Sequence, residues 1–369
     1  MKKRYYILIG IAALLTLGAI LGGDKDEPIT DSIEPPMETP IENQEPIPPQ
    51  NNQFFSTTKY ASLITYSGEL KDITPQQVKN TYEEANDDGV SYSTYYKRWG
   101  EIELSKDNYD WSNIDDSVRW AADAGVKTAF IVQILDVNQV GKLPLDITFT
   151  SFTDPILKER FKDFMLTVLD RHNDIEYVWI GLEVDGYLKD NRDEIPEFQE
   201  LFEETYDAIK SEHPNVKVGT ISTYHDAKTR NELDIIKTLG ETGDLIGLTY
   251  YPQFLSQDTS KIPEHFEDMS DIASDLNKNF AITESGWSTL GFEGSEAQQL
   301  KFMQEILSLQ IENIEYIGFY NLHDVPVEYY GLENYNIDVA DQYITFLLNL
   351  GLKNNDASSK QAWEEFKNK

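Results

Sequence analysis

Two glutamates, Glu183 and Glu284, each close a short apolar run that is rich in β-branched and aromatic residues. The first run is Ile175-Glu176-Tyr177-Val178-Trp179-Ile180-Gly181-Leu182-Glu183, and the second is Asn279-Phe280-Ala281-Ile282-Thr283-Glu284-Ser285-Gly286-Trp287. Runs of this kind read as buried strands. A carboxylate that ends a buried strand needs a partner or a task, because isolated charge is costly away from water. If the two strands are parallel members of one barrel, both acids emerge at the same mouth. Two carboxyl groups facing each other across a cleft can cleave a glycosidic bond, one handling the proton and the other the anomeric carbon. The bland alternative is a pair of structural acids, each neutralised by a nearby Arg or Lys.

The elements that must position them can be read in order. Strand-like segments fall at Tyr60–Tyr66, Val90–Trp99, Val126–Leu135, Ile175–Glu183, Val216–Ile221, Leu245–Tyr250, Phe280–Glu284 and Ile314–Tyr320, each followed by a helix-like segment. Helix starts are marked by Thr74 before Pro75, by Asp154 before Pro155, and by Ser295 with Gln298 three residues on. Eight such units over roughly 300 residues predict an α/β chain with a single (β/α)8 TIM barrel over residues 57–369. A doubly wound open sheet is the other candidate, but no Gly-rich phosphate loop follows the first strand. In a barrel, catalytic groups lie at the carboxyl ends of strands, where Glu183 and Glu284 fall.

Ahead of the barrel, residues 1–23 open with Met1-Lys2-Lys3-Arg4 and run apolar from Tyr5 to Gly23. A basic start and an apolar core predict an export signal. The stretch is near the roughly 20 residues needed to span a bilayer, and no small-x-small site precedes Asp24, so an uncleaved signal anchor is favoured over a cleaved peptide. Residues 24–56 are rich in Pro, Glu, Asp, Asn and Gln and read as a disordered acidic linker. The barrel is therefore expected outside the cell or on its surface, tethered if the segment is an anchor and free if it is a cleaved signal peptide.

Composition excludes several classes of chemistry. The formal net charge of -34 is spread through the barrel and disfavours nucleic acid and other polyanions as partners. With no cysteine there is no disulfide, thiolate chemistry or lipid attachment through a thiol. The five histidines show no metal-binding spacing, and no cofactor is expected. Asn86-Asp87-Asp88-Gly89 resembles a calcium-loop fragment but reads as a helix-ending turn.

Residues 58–369 resemble glycoside hydrolase clan A, barrel enzymes that cleave β-linked sugars with retention of configuration. The resemblance is carried by several stretches. They are Trp99-Gly100-Glu101-Ile102-Glu103 with Tyr109-Asp110-Trp111 after the second strand, Trp179 to Tyr187 at the fourth, Leu248-Thr249-Tyr250-Tyr251-Pro252 at the sixth, and Ile282 to Trp287 at the seventh. The segment from Gly351 through Ala362-Trp363-Glu364-Glu365-Phe366 is similar to the closing region of such barrels. The Tyr-Tyr-Pro stretch is similar to that of endo-β-1,4-galactanases. The resemblance implies that Glu183 is the general acid/base and Glu284 the nucleophile of a two-step displacement acting on an extracellular polysaccharide or oligosaccharide. Two departures stand out. Leu182 replaces the asparagine that clan members place before the acid/base, and the eighth strand offers Asn321 and His323 in place of a tryptophan.

Supporting residues follow from the same placement. Tyr250 or Tyr251 is positioned to donate to Glu284, or else packs at the rim. Arg98 could share that task, though its neighbour Trp99 also suits a cation–aromatic contact. Trp287 is expected to stack on a sugar face. Trp99, Tyr187, His225 and Asn321 are further subsite candidates, with His225 equally readable as a plain loop residue. Trp179 lies inside a strand and belongs to the core. Two functions are consistent with this pattern: a monomeric, secreted or tethered retaining β-glycosidase, and a non-catalytic carbohydrate-binding surface protein built on the same barrel.

Overall fold

The computed structural model describes residues 59–68, 73–327 and 342–369. The expected signal segment 1–23 and acidic linker 24–56 lie outside the described residues. Eight parallel strands close on themselves: β1 (Lys59–Ser62), β2 (Tyr92–Lys97), β3 (Lys127–Asp136), β4 (Ile175–Leu182), β5 (Lys217–Thr223), β6 (Leu245–Tyr250), β7 (Asn279–Ser285) and β8 (Ile314–Phe319). Each pairs with its neighbours in sequence, and β1 pairs with β8 to complete the ring. The outer layer holds α1 (Pro75–Asp87), α2 (Ser112–Asp123), α3 (Pro155–Arg171), α4 (Ile195–Glu212), α5 (Leu233–Leu239), α6 (Ile262–Asp275), α7 (Glu296–Ser308) and α8 (Gln361–Lys367). The chain is therefore a (β/α)8 barrel, and each strand lies where the apolar runs predict it.

Local chemistry explains the ends of these elements. Thr74 accepts from the Gln77 amide while the Gln77 side chain accepts from the Thr74 amide, a reciprocal cap that opens α1. Asp154 caps α3 by accepting from the amides of Ile156 and Leu157. Ser295 accepts from the Gln298 amide at the start of α7. The Asn86–Gly89 stretch is the C-terminal turn of α1, with Gly89 at φ +100, a conformation that a side chain would strain.

The strands are buried on both faces, so their sequences are nearly continuous apolar runs rather than alternating ones. Trp179 fills the barrel axis, where its indole donates to the Tyr316 hydroxyl at 2.8 Å and stacks beside Tyr177. The two strands that follow β4, β5 and β6, make room for it: a Cβ on Gly219 or on Gly247 would come within 2.6 Å of the indole ring. Below this aromatic layer, at the amino ends of the strands, two further glutamates are paired. Glu315 accepts from Lys217 at 2.7 Å, Asn279 at 2.8 Å and Tyr177 at 3.0 Å, and Glu176 accepts from Tyr92 at 2.9 Å with Lys59 beside it. No described helix is long and apolar enough to cross a membrane.

Candidate active site

Glu183 is the first residue beyond β4 and adopts a left-handed backbone, φ +48. That conformation is rare for a residue with a side chain, and strain of this kind, of order 1–3 kcal/mol, collects at functional positions. The turn starts at Gly181, φ +86, where a Cβ would sit 2.3 Å from a Val184 methyl. It swings the Glu183 carboxylate across the mouth to β6, where Thr249 donates to it at 2.7 Å. Glu284 lies near the end of β7, which pairs with β6 so that Glu284 is opposite Thr249. A single threonine thus connects the two acids. Tyr251 donates to Glu284 at 2.9 Å. The Tyr96 phenol, from β2, faces the same carboxylate but is not aligned for a hydrogen bond.

The electrostatics separate the two acids. Burial raises the pKa of Glu183 well above the usual carboxylate range, and the charge of Glu284 pushes it further. Burial also raises Glu284, to about 7, but the phenols of Tyr96 and Tyr251 oppose the rise. Glu284 therefore ionises first and leaves Glu183 holding its proton. Carboxyl groups whose surroundings push their pKa values apart in this way divide into one that can give a proton and one that stays ionised. Among the described residues neither glutamate has a Lys or Arg partner, so the bland reading of two ion-paired structural acids does not describe them.

Both acids line one pocket at the carboxyl ends of the strands. Its polar side carries Gln133, Asp136, Asn138, Thr223, His225 and Asp226. Its apolar side is formed by Leu182, Tyr251, Phe254, Tyr320, Phe346 and Leu347. The last two come from a short helix, Gln342–Leu348, that returns to the mouth between β8 and α8. There Phe346 packs 4.7 Å from Phe254, centroid to centroid, and Tyr343 stacks beside Phe346. His225 completes this wall, stacked on Phe254 at 5.4 Å and edge-on to Tyr251 at 5.7 Å. Its Nδ1 is buried without a partner, and burial lowers its pKa to about 4, so the ring is neutral near pH 7.

Several expected site residues lie elsewhere. Trp287, expected on a sugar face, is fully buried behind the mouth against Phe302 of α7, in the layer between strands and helices. Trp99 is likewise core, packed on Phe161 and Phe164 of α3 and donating to Glu103 at 2.7 Å. Tyr250 points to the helical layer, where its hydroxyl meets His265 of α6 at 2.8 Å, so it is Tyr251 that reaches Glu284. Tyr187 turns away from the pocket and donates to Glu194. Arg98 does not touch Glu284; it pairs with Asp136 at 2.6 Å and with Glu101. Asn321 is fully buried outside the pocket, and His323 is tied to Thr65, so the eighth strand presents its preceding residue, Tyr320, to the cleft.

Sequence reading missed Asp136, Tyr96, Tyr320 and the aromatic helix. Only Asp136 carried a visible signal: it ends the apolar run Val126–Leu135 just as the two glutamates end theirs.

The profile of Glycosyl hydrolase family 53 matches residues 154–315, a stretch running from the start of α3 to the start of β8 and containing both glutamates. No curated protein matches the chain. Solved structures share the barrel at low identity. GH5_18 from Streptomyces cattleya, in complex with GlcNAc, aligns with a TM-score of 0.65 and 11% identity over 84% of this chain and 79% of that one. The exo-β-1,4-mannosidase of Opitutaceae bacterium strain TAV5 aligns at 0.63 and 14%, covering 84% and 58%. A fungal β-1,4-galactanase aligns at 0.57 and 12%, covering 85% and 99%. Fold and paired glutamates together define a (β/α)8 barrel with two acids at its mouth, and its middle portion is similar to Glycosyl hydrolase family 53.

Proposed function

We propose that the protein is a retaining β-glycoside hydrolase that uses Glu183 as general acid/base and Glu284 as nucleophile. The observation that carries this reading is the pair itself. Two carboxyls, Glu284 buried and Glu183 partly so, share one mouth with no Lys or Arg paired to either among the described residues. Their surroundings favour the proton on Glu183 over Glu284. In the first step Glu284 attacks the anomeric carbon while Glu183 gives its proton to the departing glycosidic oxygen, leaving a glycosyl ester on Glu284. In the second step Glu183, now ionised, takes a proton from water, whose oxygen displaces the ester and restores both acids. Thr249 holds Glu183 in place, and Tyr251 holds the carboxylate of Glu284.

The substrate we propose is a β-linked neutral polysaccharide or oligosaccharide outside the cell, reached from a membrane anchor by a monomeric barrel. The family 53 match and the Tyr250-Tyr251-Pro252 stretch make β-1,4-galactan the first substrate to try. The test is reducing-sugar release by the full chain, in detergent, across β-linked polysaccharides and aryl β-glycosides. Turnover is expected, with the product's anomeric configuration retained by NMR. Glu284→Gln is expected to abolish it. Glu183→Gln should cost far more on polysaccharide than on aryl glycosides, whose leaving groups need little protonation. Sugar binding without turnover would instead support the non-catalytic reading, which apolar Leu182 beside Glu183 favours.

A further inference from the structure

We propose that Asp136 is a third carboxylate of the site, which accepts a hydrogen bond from a ring hydroxyl of the sugar whose anomeric carbon faces Glu284. This rests on the glycosidase reading and adds a specificity-determining residue to it. Asp136 ends β3 and is paired in register with Leu182, the residue before Glu183. The two strands are also joined there by a hydrogen bond from the Val137 amide to the Leu182 carbonyl at 2.9 Å. Leu182 has no polar side-chain atom to offer the substrate, whereas the side chain one strand away does.

The carboxylate is only 1% exposed, yet it lines the pocket. Its position is over-determined. Arg98 reaches Oδ2 through Nε at 2.7 Å and through a terminal nitrogen at 2.6 Å, and Gln133 donates to Oδ1 at 2.8 Å. A carboxylate has about four lone-pair positions, so acceptor capacity remains for a ligand. A further polar atom of the same pocket, His225 Nδ1, is buried without a partner, which marks this as a surface built to meet a polar ligand.

This arrangement selects by charge and by hydrogen-bond sense. Asp136 can only accept, so the facing sugar group must donate. Arg98 is occupied by Asp136 and Glu101, and Arg230 by Asp226, Asp185 and Glu232. Lys189 is the pocket's only lysine or arginine among the described residues, against the carboxylates of Asp136, Glu183, Asp226 and Glu284. The cleft therefore takes neutral hydroxylated sugars and rejects uronates and sulfated sugars.

The experiment pairs Asp136→Asn with mono-deoxy substrates. Rates are measured for the full chain and the variant on the 4-nitrophenyl β-glycoside (galacto, manno or gluco) that the wild type cleaves, and on its 2-, 3-, 4- and 6-deoxy analogues. The expected loss in kcat/KM is roughly 100-fold on the parent and under about 3-fold on one deoxy analogue, because each change removes the same hydrogen bond. An equal loss on all five substrates would overturn the proposal, since a merely structural residue cannot sense one hydroxyl. If the wild type cleaves none of them, the glycosidase reading itself fails. Calorimetric binding of β-1,4-galactan, β-1,4-mannan and cellulose oligosaccharides then decides for Asp136: affinity lost in the variant supports it, and unchanged affinity or no binding overturns it.

Discussion

The two ends of the barrel use the same residue for opposite purposes. At the amino ends of the strands, Glu315 is surrounded by Lys217, Asn279 and Tyr177. Burial alone would raise its pKa, but these partners hold it below the usual carboxylate value. At the carboxyl ends, Glu284 has only phenols for company and its pKa rises to about 7. The difference lies in the partner, since both side chains are largely buried. A cation turns a buried glutamate into structure, and its absence keeps the carboxyl group reactive at the expense of stability.

The largest effect that could break this contrast comes from exchanging each acid for its amide. Glu284→Gln is expected to lower kcat by at least about 10⁴-fold. It should also stabilise the fold above neutral pH. A carboxyl whose folded pKa lies above its unfolded value contributes stability that is fully present below about pH 4.3 and lost as pH rises through the folded value near 7. At pH 8 the amide avoids that loss, on the order of 3 kcal/mol, and thermal melts should shift upward by roughly 5 °C. Glu315→Gln should do the reverse, leaving activity intact while lowering stability by about 1–3 kcal/mol. A Glu315→Gln variant that loses activity with its fold intact would erase the distinction.

A smaller effect is expected at the phenol. Tyr251→Phe removes a hydrogen bond that lowers the pKa of Glu284, so the ascending limb of the pH–rate profile should move to higher pH and kcat/KM should fall by about 10–100-fold. An unshifted limb would mean that Tyr251 does not tune Glu284. For the wild type, activity should rise through about pH 7 as Glu284 ionises and fall only at higher pH, as Glu183 loses its proton.

Aromatic residues divide the same way. Phe346→Ala should raise KM by roughly 10-fold with little change in kcat, because it removes part of the pocket wall. Trp287→Ala should destabilise by about 3–5 kcal/mol without a selective effect on KM, because Trp287 is core. The reverse pattern in enzyme kinetics and melts would reassign both. The smallest effect belongs to Asp226→Asn. Removing a charge that raises the Glu183 pKa should move the descending limb slightly to lower pH.

Much of the site was legible because parallel barrel strands are buried on both faces. Such strands appear as continuous apolar runs, and a carboxylate at the end of one stands out. That signal led to Glu183 and Glu284, and it was equally present at Asp136. It could not choose between Tyr250 and Tyr251, which point to opposite sides of the barrel wall. Alternation holds along β6, with Leu245, Thr249 and Tyr251 on the inner face and Ile246, Leu248 and Tyr250 toward the helices. A strand buried on both faces, however, does not reveal in its sequence which set faces the axis. Trp287 misled for a different reason: it follows Glu284 in sequence, but its ring is buried in the layer between strands and helices rather than at the mouth.

The sequence by itself determined the barrel, the order of its strands and the two acids at its mouth, because hydrophobic periodicity and strand-end chemistry are local properties. Only the tertiary structure decided which groups surround those acids. Thr249 lies 66 residues from Glu183, Tyr251 33 residues from Glu284, and Arg98 38 residues from Asp136. The aromatic wall likewise joins Phe254 to Phe346, side chains from distant elements. A pKa is set by charges and donors within a few ångströms, and closing the barrel is what brings those groups together.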